Sequence, residues 1–416
     1  MTLWPSFNSV LVSILGIMLS VHLFSPKLVG IPIILLAIAI VVGYVKKEIS
    51  FHFSRHLMFF SLLYMAYLLG CIWTLDSAQA LKYVENKAVF LLFPLLFSCK
   101  VNKFNLKILN YVICALIALV LLTCLVSSYQ HFDSNLTTLQ NISSSNFSRI
   151  HHPSYLAAMI MVIALFPLSS LSKATPKIEK YGIGLASIFG LIIVILCQSL
   201  AGYLALIALI LGYIIFVIFP KYVTSIKNFL IVSALTSLVI FLIVKNDKIW
   251  NDMQSAKSFA TEYVNDPVKF VQHYPDYKEG NQTRLIMWTV AFSVFTEHPF
   301  GLGTGNIDTY FEKKLIQFNQ KSMIEYHYNP HNQYLQVACE IGVLGLILFL
   351  AIIYSGFRAA YKARNFVLFG SMLVLTLNSL FESIFQLQSG IVFFTLISSI
   401  CILNISSNFN LKPVNQ

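Results

Sequence analysis

The chain has 416 residues, of which 57% are hydrophobic and only 11% charged, with a formal net charge of +11 and a mean hydropathy of +0.75. A soluble domain carries roughly a quarter charged residues. The deficit here runs along the whole chain, which excludes a soluble protein with a single anchor and points to a polytopic membrane protein.

In chain order, twelve apolar runs centre near Leu15, Leu36, Leu63, Phe93, Ile117, Ile163, Phe189, Ala208, Thr236, Gly345, Val374 and Phe394. Crossing ~30 Å of hydrocarbon takes about 20 helical residues. Lipid-facing backbone must satisfy its own hydrogen bonds, so the runs are expected to form an all-α bundle. No small-residue cleavage site follows the first run, which is expected to be a retained span rather than a signal peptide. The fourth run is the weakest: Ala88 to Ser98 is short and contains Pro94, so its helix is expected to begin earlier, near Gln79.

With the N-terminus inside, the inner loops hold Lys46, Lys47 and Arg55; Lys100, Lys103 and Lys107; Lys173, Lys177 and Lys180; Lys221 and Lys227; and Arg358, Lys362 and Arg364. The short outer loops hold only Lys27, Lys82, Lys87 and Arg149. This asymmetry sets the expected orientation, with both ends cytoplasmic. It also accounts for most of the net positive charge, so the charge gives little reason to expect a nucleic-acid partner. The seven cysteines lie in or at the ends of apolar runs, without the spacing of a disulfide framework or a metal cluster.

Two outer segments break the rhythm of short loops. Ser127 to His151 is rich in Ser and Asn, and a mostly polar stretch of roughly 85 residues separates the ninth and tenth spans. The expected division is therefore 1–244 for spans one to nine, 245–332 for the large outer loop, and 333–416 for spans ten to twelve and a short tail. The large loop is aromatic enough to fold. Within it, TRLIMWTVAFSVFTE (Thr283 to Glu297) places Leu285, Trp288, Phe292 and Phe295 at helical spacing, which predicts an amphipathic helix along the membrane surface. HPFGLGTGN follows as a glycine-rich turn.

The stretch NPHNQYLQ supplies the first candidate for chemistry. Asn329 suits an N-cap and Pro330 the first helical position, which predicts His331 in the first turn of the tenth span. Free N–H groups and the helix dipole attract anions there and favour neutral imidazole, the form that acts as a base. The residues alone leave open an interfacial histidine that only bonds a neighbour. IHHPSY repeats the pairing at another outer helix start, with His152 beside Pro153 and with Arg149 and His151 just before; Arg149 reads equally as an interface anchor or part of an anion site. Arg284 carries the forked, permanently charged donor that suits phosphate. Lys82 and Lys87 stand at the start of the fourth span. Glu340 and Glu382 are carboxylates within or beside apolar spans, where burying charge is costly, so each is a functional candidate or a partner for a nearby Arg or His. No Walker loop, Asp-x-Asp motif or HExxH spacing is present.

The chain resembles the O-antigen ligase and O-antigen polymerase superfamily of bacterial membrane glycosyltransferases over nearly its whole length. PHNQYLQVACEIGVLGL is similar to that family's His-Asn-x-x-Leu signature before a Gly-rich span. TRLIMWTVAFSVFTEHPFGLGTGN is similar to its Arg-x-x-x-Trp and Pro-x-Gly-x-Gly block, and IHHPSYLA, ENKAVFLLFPLLF and LFESIFQLQSGIVFF resemble further blocks. The resemblance implies a GT-C-like fold of about twelve transmembrane helices with one large, partly helical periplasmic loop, in the bacterial inner membrane. It implies transfer of a glycan from an undecaprenyl-pyrophosphate donor to lipid A–core or to another glycan acceptor at the periplasmic face, with inversion and without metal, ATP or other cofactor. It implies that His331 activates or positions the acceptor hydroxyl and that Arg284 binds the pyrophosphate. Arg149, His152, Lys87, Asn332, Tyr328 and Glu382 complete the candidate substrate-binding set. The pattern departs at QSLAGY, where Leu200 stands in place of an expected arginine, and near Gln386 and Gln388, where one branch carries another. A repeat-unit polymerase, and more remotely a flippase or transporter, are the alternatives.

Overall fold

The computed structural model describes residues 6–101, 104–172, 174–218, 237, 247–274, 280–324 and 328–408. Helix α1 (Phe7–Phe24) starts on Ser6, whose hydroxyl accepts from the Ser9 amide, and α2 (Gly30–Val45) follows a 3-10 turn. Helix α3 (Arg55–Gly70) starts on Ser54 in the same way as α1. The segment expected as the fourth span forms two consecutive helices, α4 (Ser77–Lys87), capped by Asp76, and α5 (Val89–Phe97). Pro94 has no N–H for the Phe90 carbonyl, and the Ser61 hydroxyl donates to that carbonyl instead, at 3.5 Å. There follow α6 (Lys107–Gln130), the one-turn α7 (Thr138–Asn141) and α8 (Ser144–Phe147), then α9 (Pro153–Ser169), α10 (Lys177–Cys197) and α11 (Leu200–Tyr213). The large loop holds α12 (Asp247–Asn265), α13 (Pro267–His273), α14 (Gly280–Glu297) and α15 (Ile307–Gln317). The chain ends in α16 (Gln333–Ala363), α17 (Phe366–Asn378) and α18 (Gln388–Asn408).

With their flanking turns, α1, α2, α3, α6, α10, α11, α16 and α18 are long and apolar enough to cross a membrane, and α9 and α17 are shorter apolar helices. The chain is thus an all-α polytopic membrane protein. The expected ninth span near Thr236 and the expected boundary at 244 lie outside the described residues. One small sheet joins two segments expected on the inner side: β1 (Ile49–Phe51) pairs antiparallel with β2 (Cys99–Val101), Ile49 opposite Val101. Hydroxyls of α18 secure it, Ser407 accepting from the Val101 amide and Ser406 donating to the Cys99 carbonyl.

Helix α18 is buried nearly all round and forms the centre of the main core. The described part of the segment expected as the large loop has its own apolar cluster, which includes Phe270, Ile286, Met287, Val290, Phe311 and Leu315. The buried face of α14, however, is not the predicted one. Ile286, Met287, Val290 and Val294 point inward, Leu285, Trp288 and Phe295 are half-buried, and Phe292 is exposed. The helix packs on α16, α12, α13 and α15 rather than lying alone on a surface.

The turn after α14 locks this assembly. Helix α16 breaks at Gly342, whose φ of +71° and ψ of −160° lie outside the helical region. The strap Pro299 to Gly305 fills the break: Leu302 N donates to the Cys339 carbonyl (2.8 Å), Gly303 N to that of Glu340 (3.1 Å), and Val343 N donates back to the Pro299 carbonyl (2.9 Å). Thr304 continues onto α3, its amide on the Gly70 carbonyl and its hydroxyl on that of Tyr67. The glycine-rich motif is therefore a backbone clamp that sets α14 against α3 and α16.

Candidate functional site

Four segments distant in sequence meet at one end of the bundle: the starts of α9, α14 and α16, and the turn Ser379–Leu387 between α17 and α18. Helix α16 begins later than the sequence suggests. Its N-cap is Asn332, whose side chain accepts from the Leu335 amide (3.1 Å). His331 therefore precedes the helix instead of occupying its first turn, and it takes a left-handed backbone with φ +47°. The Asn329 side chain steadies it by accepting from the His331 amide at 2.8 Å. A left-handed non-glycine residue stores strain, and such residues concentrate where a side chain must be aimed.

The turn is held from all sides. Gln333 N donates to the Ser379 carbonyl (2.8 Å), the Asn332 side-chain amide to that of Leu380 (3.2 Å), and Phe385 N to Gln333 Oε1 (2.6 Å). Tyr155 of α9 donates its hydroxyl to the Ser383 carbonyl (3.3 Å). These bonds present the buried Glu382 to three cationic or imidazole groups. Arg284, at the start of α14, places one terminal nitrogen 3.1 Å from Glu382 Oε1 and donates Nε–H to the Phe381 carbonyl at 3.2 Å. His331 Nδ1 stands 3.5 Å from Glu382 Oε2, long for a hydrogen bond but within ion-pair range. The Ser154 hydroxyl donates to Oε1 at 3.2 Å and lies 2.7 Å from His152 Nδ1, so His152 reaches the carboxylate through it. Burial alone would raise the Glu382 pKa. The contact with His331 and the charges of Arg284, His152 and His331 outweigh it and hold the carboxyl below its usual range.

The structure thus brings His331, Arg284, His152 and Glu382 together and sets Tyr328 beside them, its ring 6.1 Å from that of His331. Asn332 faces the same turn, but its side-chain oxygen and nitrogen are both engaged by backbone, which makes it a scaffold for the turn. Lys87 lies in a different cluster. It is 1% exposed, its ammonium set against the rings of Tyr67 and Tyr83 at 4.7 and 4.6 Å, near Glu340 rather than Glu382. Arg149 is exposed on the loop before α9. His151, one of the two histidines beside Arg149 in the sequence, turns inward: its Nε2 lies 3.0 Å from the Leu23 carbonyl at the end of α1, and burial pushes its pKa down. Leu200 opens α11 just after Gln198, a left-handed residue ending α10. Among the described residues, no group of three or more His, Cys, Asp or Glu gathers as a metal site.

Sequence reasoning did not single out Ser154, Tyr155 or Ser383. Only their place within the stretches IHHPSY and LFES hinted at them.

Residues 185–350 match the model of the family described as O-antigen ligase. A protein of Rickettsia conorii (strain ATCC VR-613 / Malish 7) named "Putative polysaccharide ligase" is 28% identical over 85 residues, 20% of this chain and 21% of its own length. A protein of the same name from Rickettsia felis (strain ATCC VR-1525 / URRWXCal2) is 33% identical over 93 residues, 20% of this chain and 22% of its own. The matched segment spans about a fifth of the length of these curated relatives.

Proposed function

We propose that the chain, whose residues 185–350 match the O-antigen ligase family model, is a membrane glycosyltransferase. It moves a glycan from undecaprenyl pyrophosphate to an acceptor hydroxyl, that of lipid A–core in the first instance, at the periplasmic face of the inner membrane. The observation that carries this reading is the shared carboxylate: Glu382 holds a guanidinium on one oxygen and an imidazole on the other.

With Nδ1 turned to Glu382, His331 is left with Nε2 to take the proton of the acceptor hydroxyl. The acceptor oxygen forms its bond to the anomeric carbon from the face opposite the pyrophosphate. The bond from that carbon to the phosphate oxygen breaks, and the pyrophosphate leaves with the electron pair. Arg284 uses two of its N–H groups on Glu382 and Phe381, and the others remain to bind the departing charge. The donor sugar is already activated, so positioning, a base and a cation supply what the step needs. Arg149, exposed on the loop before α9, is the cation we assign to the place of the arginine missing at Leu200.

A polymerase of the same superfamily would differ only in the acceptor. A deletion strain separates the two: loss of all O-antigen from lipid A–core marks the ligase, and a single repeat unit left on the core marks the polymerase. His331→Ala is expected to abolish transfer, a loss of about 10²–10⁴-fold, with normal protein levels in the membrane. Full activity in that variant would overturn the assignment.

A further inference from the structure

A second carboxylate lies deeper in the same wall. Glu340, two turns along α16 from Gln333, is fully buried and makes no ion pair among the described residues. Neutral donors satisfy it: the Tyr67 hydroxyl donates to Oε2 at 2.7 Å and the Gln336 amide to Oε1 at 2.8 Å. The same Gln336 amide nitrogen lies 3.2 Å from Gln386 Oε1, and Gln386 Nε2 donates to the Tyr83 oxygen at 2.6 Å. Lys87 supplies the opposite charge to this cluster from between the two tyrosine rings.

The direction of these bonds carries information. A carboxylate only accepts, whereas a side-chain amide donates from one arm and accepts on the other. Glu340 therefore draws both N–H groups of Gln336 to its side of the chain, one for itself and one for Gln386. Gln386 is then turned with its oxygen to Gln336 and its nitrogen to Tyr83. Gln386 closes the 3-10 turn Ile384–Gln386, which directly follows Glu382 and Ser383.

We propose that Glu340 is a positioning residue for the Glu382 centre: through Gln336 and Gln386 it fixes the turn 379–387, and the turn sets Glu382 against Arg284 and His331. Only the activity arm of the test rests on the transferase reading.

With the full chain in lipid nanodiscs, Glu340→Ala is expected to raise amide hydrogen exchange in 379–387 about fivefold or more, with α6 and α10 unchanged. In the transfer assay it lowers kcat about tenfold with KM for the lipid-linked donor within about twofold. Glu340→Gln keeps an oxygen for one of the two donors and falls between wild type and Glu340→Ala in both measurements. Gln386→Ala removes the link itself, so the double variant Glu340→Ala/Gln386→Ala is no worse than the poorer single one. Losses that multiply, or wild-type exchange of 379–387 in the Glu340→Ala protein, would overturn the proposal. If Glu340→Ala does not fold, Glu340→Gln and the double variant Glu340→Gln/Gln386→Ala face the same criteria. Exchange requires no substrate, so a wild-type chain without transferase activity refutes the proposed function while the positioning role is still decided.

Discussion

Glu382 and Glu340 are both buried carboxylates in a membrane protein, yet their surroundings satisfy them in opposite ways. Glu382 gathers charge, and the Arg284 and His331 side chains that hold it keep 27% and 26% of their surface open. Glu340 accepts its hydrogen bonds from neutral donors, Tyr67 and Gln336, which are 0% and 1% exposed, and the Lys87 ammonium of the same cluster makes no ion pair with it among the described residues. Removing one partner of a buried charge is costly in either setting. Only the first setting, however, leaves donor capacity on side chains that are partly exposed. The partners of a buried carboxylate, more than its depth, separate a site from the scaffold beneath it.

Replacing Arg284 attacks that distinction most directly. Arg284→Ala is expected to lower transfer about 10²–10³-fold, the usual consequence of losing a donor aimed at developing negative charge. Arg284→Lys recovers only part of this, because an ammonium cannot keep the forked geometry on Glu382 and Phe381 while also reaching a phosphate. Rates measured on a lipid-linked donor in detergent test both variants. A fall of less than about threefold would place Arg284 with the scaffold residues instead.

The clamp between the two centres is the next target. Gly342 adopts a backbone conformation essentially reserved for glycine, and a Cβ there would overlap the carbonyl of Phe300. Gly342→Ala is expected to cost about 1–3 kcal/mol of stability, read as a lower thermal midpoint in detergent. Because the strap bonds to the Glu340 carbonyl and also ends α14, which carries Arg284, both centres are expected to loosen together. Unchanged stability would mean that α16 and the strap are not one unit.

Much of this was legible in the sequence, and what was not has identifiable causes. Hydropathy marked the spans because a bilayer demands long apolar helices. It also exposed Glu382 and Glu340 as acids in apolar surroundings. The pairing of Arg284 with Glu382 joins residues 98 positions apart, a distance over which local pattern carries no register. The start of α16 was misplaced because Asn329 and Asn332 are both competent caps, and only the tertiary bonds of Asn332 to Leu380 and Ser383 decide between them. The buried face of α14 was misread for a different reason. TRLIMWTVAFSVFTE is apolar on two sides, so helical spacing alone picks out the Leu285–Phe295 stripe as readily as the Ile286–Val294 stripe that packs. The kink at Gly342 gave no warning because EIGVLGL reads as unbroken span.

The smallest expected effect lies in the pH dependence of stability, and its sign follows from the surroundings of Glu382. Its carboxyl is held below the usual range because Arg284, His331 and His152 outweigh the effect of burial. A carboxyl depressed in the folded state contributes stability that is fully present above its unfolded pKa and is lost as pH falls through the folded value. The difference in thermal midpoint between wild type and Glu382→Gln is therefore expected to shrink as pH falls below the ordinary carboxylate range, where the neighbouring imidazoles are already charged. Arg284 keeps its charge throughout, so the loss tracks the carboxyl. A difference that kept its full size well below the ordinary carboxylate range would mean that the stabilisation does not depend on the ionised carboxyl, and the contrast between a carboxylate held by ion pairs and one held by neutral donors would no longer hold.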